Sequence, residues 1–231
     1  QAAVSESCQS MIRPFGRRLG PWRRSLCSQS APGLAARLRA TQRWLDTVVI
    51  GERLCPFAAP VRSAPRLRLC ASEAADADAV VAEVAAEAEL LAKGIRSGNA
   101  VASGFPETTL LVLDGSMPCV LTWHDFVRLS WRLQSEAILA RGHADDLHIV
   151  LFHPLAVHSM YSEGLNDADP ADFAIRAPHP TVHLLREVDI SKATEKYPDA
   201  EGIPGRNKVR LREQGLDVCV ARLAACDAAD G

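Results

Sequence analysis

The stretch "DLHIVLFHP", residues 146–154, decides how the rest of the chain is read. It is short, rich in branched and aromatic side chains, and cut by Pro154, which predicts a buried strand that ends at His153. Upstream, "TWHDFVRLSWRLQSEAILARG" (122–142) has helical spacing, with Thr122 and Asp125 suited to its start and Arg141–Gly142 to its end. Before that lies a second apolar run, "TTLLVL" (108–113), closed by the turn Asp114–Gly115. Further upstream, "ADADAVVAEVAAEAELLAKG" (75–94) reads as a helix and "RLRLCAS" (66–72) as a half-buried strand. Single helices between strands imply βαβ units. The expected fold is α/β: one domain, with a small, largely parallel sheet, flanking helices and a long C-terminal loop–helix region.

At the amino-terminal side, "LAARLRATQRWLDTVVI" (34–50) has the three-and-four spacing of an amphipathic helix. Gly51 is expected to stop it through the left-handed conformation that glycine tolerates. Residues 154–180 are polar and hold four prolines, and a segment of that length without periodicity is usually functional or mobile. "TVHLLREVDISKATEKYP" and "GRNKVRLREQG" read as helical pieces, the first with a short strand as an alternative start. The division expected is residues 1–33 as a leader, 34–216 as the globular domain, and 217–231 as a frayed tail.

The 231 residues carry a net charge of −2, which hides an asymmetry. Residues 1–43 hold eight arginines, no lysine and one acid. The remainder has 18 basic and 27 acidic residues. An Arg- and Ser-rich opening without a 7–15-residue apolar centre has the composition of an organellar transit peptide. The expected destination is the mitochondrion, with the chloroplast as the alternative. An acidic body gives no long-range attraction for nucleic acid. No apolar run reaches the length of a membrane span. Seven cysteines without a C-x-x-C pair give no zinc-ribbon or thioredoxin pattern.

Candidate chemistry gathers at the strand end. Four of the seven histidines, His153, His158, His179 and His183, fall within residues 153–183, together with Asp167, Asp169 and Arg176. Imidazole serves both as acid–base group and as metal ligand. In "HLLRE", a helix would put His183, Arg186 and Glu187 on one face, where the guanidinium could clamp an anion or pair internally. Cys55, before Pro56, is expected at a helix N-terminus, where a thiol's pKa falls. Packing, nucleophile and metal ligand stay open for it. In "IPGRN" (203–207), Arg206 and Asn207 suit a cap or an anion. Walker, dinucleotide and G-x-S-x-G patterns are absent.

"RWLDTVVIGERLCPFA", "TTLLVL", "DFVRL", "IVLFHP", "RAPHPTVHLLRE" and "IPGRN" stand here in the order they have in a bacterial and plant family, domain of unknown function 1415. The chain resembles that family over about residues 41–215. The matching positions are Cys55, Pro56, Phe57, His153, Pro154, Arg176, Pro180, His183, Arg186 and Glu187. Bacterial members have "NYTNR" where this chain has "DFAIR" (172–176), and an Asp–Tyr pair where it has "LAVHS" (155–159). The family brings no established activity. The resemblance implies a shared pocket built from Cys55, His153, His183 and Arg186; on an enzyme reading Cys55, His153 and His183 would act catalytically and Arg176 and Arg186 would hold substrate. That makes an enzyme acting on an anionic small molecule one expectation, with metal and cofactor open. A non-catalytic binding or assembly protein is the other.

Overall fold

The computed structural model describes residues 33–62, 66–98, 104–158 and 169–228. They fall within one compact unit, Ala31–Gly231. Residues 1–32 of the expected leader (1–33), and Asp167, lie outside the described residues.

Helix α1 (Leu34–Arg43) runs on through a wider π-helical stretch, Trp44–Ile50. Gly51 does end it, but with φ −59°, not in the left-handed region. A Cβ on Gly51 would stand 2.4 Å from the Thr47 carbonyl oxygen, and this crowding is why glycine is needed. The left-handed residue of the turn is Arg53, φ 53°. Short helix α2 (Ala58–Arg62), strand β1 (Leu67–Ala71) and helix α3 (Ala77–Arg96) follow. Asp76 caps α3 by accepting from the Ala79 N–H. Strand β2 (Thr108–Val112) leads to helix α4 (Trp123–Arg132), which continues through irregular turns to Arg141. Thr122 caps α4, and Gly142 closes the run at φ 75°.

Strand β3 (Leu147–Phe152) is as expected, whereas residues 181–186 depart from the reading as helix. Thr181–Arg186 is strand β4, and helix α5 begins only at Glu187 and runs to Lys196. The order across the sheet is β1-β2-β4-β3. β1 and β2 pair in parallel, while β4 lies antiparallel to both β2 and β3. β1, β2 and β3 therefore point one way, and the fold is α/β with a mixed sheet. An interior strand is covered on both faces, so its apolar residues cluster instead of alternating, and the same cluster fits a helix.

Alternation along the strands divides the core in two. Leu111, Ile149, Val182 and Leu184 face α3 and α4, where Val84, Leu91, Phe126 and Leu133 are buried. Leu110 faces the opposite side with Leu67, Leu69 and Phe152. That side is covered by Trp44, Leu45 and Val48 of the α1 run, by helix α6 (Ile203–Gln214) through Leu211, and by helix α7 (Leu216–Asp227) through Cys219 and Cys226. The tail expected to fray from residue 217 is thus a packed helix. Its two cysteines, seven residues apart, are buried, and Leu216, Val220 and Leu223 pack beside them.

Candidate functional site

His153 follows β3 and is 2% exposed. Its Nε2 lies 2.9 Å from the Val120 carbonyl oxygen, and its Nδ1 accepts from the Leu155 N–H at 3.0 Å. The proton is therefore on Nε2, and backbone groups engage both ring nitrogens. The ring packs beside Trp123 and Phe126. Burial pushes its pKa down to about 4. Such an imidazole is neutral at pH 7 and has no nitrogen left for a substrate.

Arg176 is equally enclosed. Its Nε donates to the Ala156 carbonyl at 2.9 Å, and its guanidinium lies 4.6 Å over the Phe173 ring. Asp172 sits between Arg176, at 3.7 Å, and His158, whose backbone N–H donates to the carboxylate at 2.9 Å. The group ties the segment after β3 to the turn Pro170–Ala174.

His183 projects from β4 onto the face shared with Leu110 and Val150. The Thr108 hydroxyl donates to the Leu184 carbonyl at 2.7 Å, so at 2.8 Å from His183 it accepts from Nε2–H. Nδ1 finds no hydrogen-bond partner among the described residues. Burial, with a smaller push from His148, lowers this pKa to about 4.

Arg186 lies three residues on, so strand alternation turns it to the other face, opposite Leu147. The shared helical face expected for His183, Arg186 and Glu187 does not exist, because 181–186 is extended. Arg186 meets Asp189 at 2.5 Å and Glu107 at 3.8 Å. Cys55 does precede a short helix and takes N–H contacts from Phe57 and Ala58, yet burial outweighs them and its thiol pKa is raised. The N-terminal position therefore does not lower its pKa, since α2 has only five residues and the sulfur is desolvated. Cys55 and His183 both belong to the α1–α6–α7 side of the sheet, with Phe152 touching the His183 ring. Asn207 donates to the Leu54 carbonyl at 2.6 Å, and Glu52 receives Gln214 at 2.7 Å and Arg222 at 3.1 Å. The turn before Cys55 is thereby held by α6 and α7.

Beyond the carboxyl ends of β1 and β2 lies a group the sequence reading did not assemble. Arg37 of α1 is 5% exposed, and its Nη2 donates to the Ser72 carbonyl at 3.1 Å. Its Nε and Nη1 are buried with no hydrogen-bond partner. Asp114 stands in its field and in that of His179. Burial pushes the Asp114 carboxyl up, but the Ser116 N–H and hydroxyl, with Arg37 and His179, hold it below the usual carboxylate range. The His179 Nε2 lies 3.3 Å from Asp227, out of line for a hydrogen bond. The signal was present: Leu34, Arg37, Thr41, Trp44 and Val48 form one helical stripe, and Arg37 is its only charge.

Among the described residues, no group of three or more His, Cys, Asp or Glu side chains converges to hold a metal ion. No described helix is long and apolar enough to cross a membrane. No curated protein and no solved structure matches the chain. A family model described as protein of unknown function, DUF1415, matches residues 36–221. With the match covering most of its length, the chain belongs to the DUF1415 family.

Proposed function

We propose that this chain works as a binding protein for an anionic small molecule, and that Cys55, His153 and His183 do not form a catalytic group. His153 carries the reading. A general acid or base needs a nitrogen within reach of the proton it moves and a pKa near the working pH. His153 has both nitrogens on backbone groups and a pKa near 4. Arg176 and Arg186 are not the anion's holders, since their charges meet protein partners; Arg37, with two guanidinium nitrogens unpartnered among the described residues, is the cation left for it.

The test is nuclear magnetic resonance on the full chain mixed with a pool of small organic and phosphorylated acids. Line broadening of some acids without their conversion is the expected result. Conversion abolished by Cys55→Ala or His183→Ala would overturn the proposal. One observation favours that second reading, an enzyme: the Nδ1 of His183 is an unprotonated nitrogen without a partner, on the same side of the sheet as Cys55.

We propose further that the Arg-rich residues 11–33 direct the chain to the mitochondrion. Fluorescence of a fusion carrying residues 1–40 should be mitochondrial. Plastid fluorescence would select the alternative, and cytosolic fluorescence would end the proposal.

A further inference from the structure

We propose that the carboxyl edge of β1 and β2 is a binding site for the carboxylate group of a small organic acid, with the buried Arg37 guanidinium as its clamp. The inference rests on the reading of the chain as a binding protein and names its ligand class.

The first support is an imbalance. A buried charge without a counterion is strongly unfavourable, and native structures pair such groups or place ligands on them. Arg37 has one backbone carbonyl as its acceptor, and its Nε and Nη1 have none. Guanidinium N–H groups are arranged to match a carboxylate or phosphate. The second support is position. In open α/β sheets, ligands bind beyond the carboxyl ends of the strands. Arg37 reaches that edge through the Ser72 carbonyl after β1, and Asp114 and Ser116 follow β2. His179 precedes β4 at the same end, where the Pro180 carbonyl accepts from the Leu113 N–H.

Size selects among anions. Asp114 and, past His179, Asp227 put negative charge near the site. A dianion such as phosphate doubles this repulsion and the attraction to Arg37 alike, whereas a planar carboxylate needs less room than a tetrahedral phosphate beside fully buried nitrogens. The carboxylate is therefore the better occupant. The unpartnered nitrogens are fully buried, so the group that meets them is small and enters as neighbouring side chains move aside.

The experiment is a thermal-unfolding series on the full chain at constant ionic strength, with acetate, inorganic phosphate or chloride as the added anion. Arg37→Met, close in shape and neutral, is run beside the wild type, and circular dichroism confirms that it folds. Acetate should raise the wild-type Tm with concentration, and phosphate should do so less. Arg37→Met should weaken acetate binding roughly tenfold or more. In chloride it should unfold no lower than the wild type, because it removes an unpaired buried charge.

A lower Tm for Arg37→Met in chloride, with acetate inert on the wild type, would overturn the site and leave Arg37 as a residue satisfied by buried water. Acetate shifts of equal size in both proteins would overturn the site while leaving the binding-protein reading in place. Acid turnover lost on Cys55→Ala would remove that reading without touching the Arg37 result.

Discussion

The two edges of the sheet treat a buried arginine in opposite ways. At the edge where β4 ends, Arg186 is 6% exposed, and its guanidinium meets Asp189 at 2.5 Å and Glu107 at 3.8 Å. Glu107 in turn lies 2.6 Å from Arg66. Each of these charges has an opposite charge beside it. At the far edge Arg37 is buried as deeply, yet among the described residues no carboxylate comes within salt-bridge distance of it. Burial is thus the same and partnership is not. A buried arginine with carboxylates holds elements together, here β4, α5 and the start of β2. One without them is a position where the protein's own atoms do not complete the electrostatics.

The largest effect should come from breaking the complete edge. Arg186→Met leaves Asp189 without its cation and Glu107 with Arg66 alone, and should cost about 2–4 kcal/mol in urea unfolding. That lies below the value for a fully enclosed pair because the Asp189 side chain is 35% exposed. Arg37→Met, made on the same background, should cost nothing in chloride. Equal losses at both positions would erase the distinction between the edges.

His153 sharpens the contrast from within the carboxyl edge, since it is closed where Arg37 is not. Its pKa is depressed to about 4 in the folded chain, against about 6.5 unfolded. Below pH 6.5 the unfolded state takes up a proton that the folded state refuses, so stability is full above that pH and declines toward pH 4. The loss between pH 7 and pH 5 should be about 1–2 kcal/mol from this ring. His153→Gln should flatten that part of the profile. A profile equally steep in the variant would mean that His153 is not the titrating group.

Much of this was legible before any coordinates, and the parts that were not share a cause. β1, β2, β3 and the helices between them follow from local signals: apolar runs of strand length, the caps Asp76 and Thr122, and the stop at Gly142. β4 was legible only as the alternative start of a helical piece, because "TVHLLR" has an apolar cluster that fits a helix, and its place between β2 and β3 is decided by pairing partners far away in sequence. The tail helix was hidden by an Ala- and Asp-rich composition whose buried residues are two cysteines. At the candidate site, the residue types could be read and their partners could not. Nothing in "LFHP" says that the Val120 carbonyl and the Leu155 N–H close on the imidazole. Nothing near Arg37 says that no acid arrives.

Cys55 takes no part in either charged group, and its loss should be the smallest of the three stability costs. Its thiol is half-buried among Leu54, Ala58 and their neighbours, so Cys55→Ala removes one small apolar contact and should cost about 1 kcal/mol. The sharper measurement is reactivity. A thiolate is the reacting form, and burial raises the Cys55 pKa in spite of the Phe57 and Ala58 N–H groups. Alkylation followed by mass spectrometry on the peptide carrying Cys55 should therefore be slow at pH 7 and should accelerate only above the range of an ordinary exposed thiol. Fast labelling at pH 7 would mean that the N–H groups prevail over desolvation. It would also return Cys55 and the open Nδ1 of His183 to the centre of the functional question and move weight away from Arg37. Slow labelling leaves the carboxyl edge as the place where a ligand would complete the charges that the fold leaves unpaired.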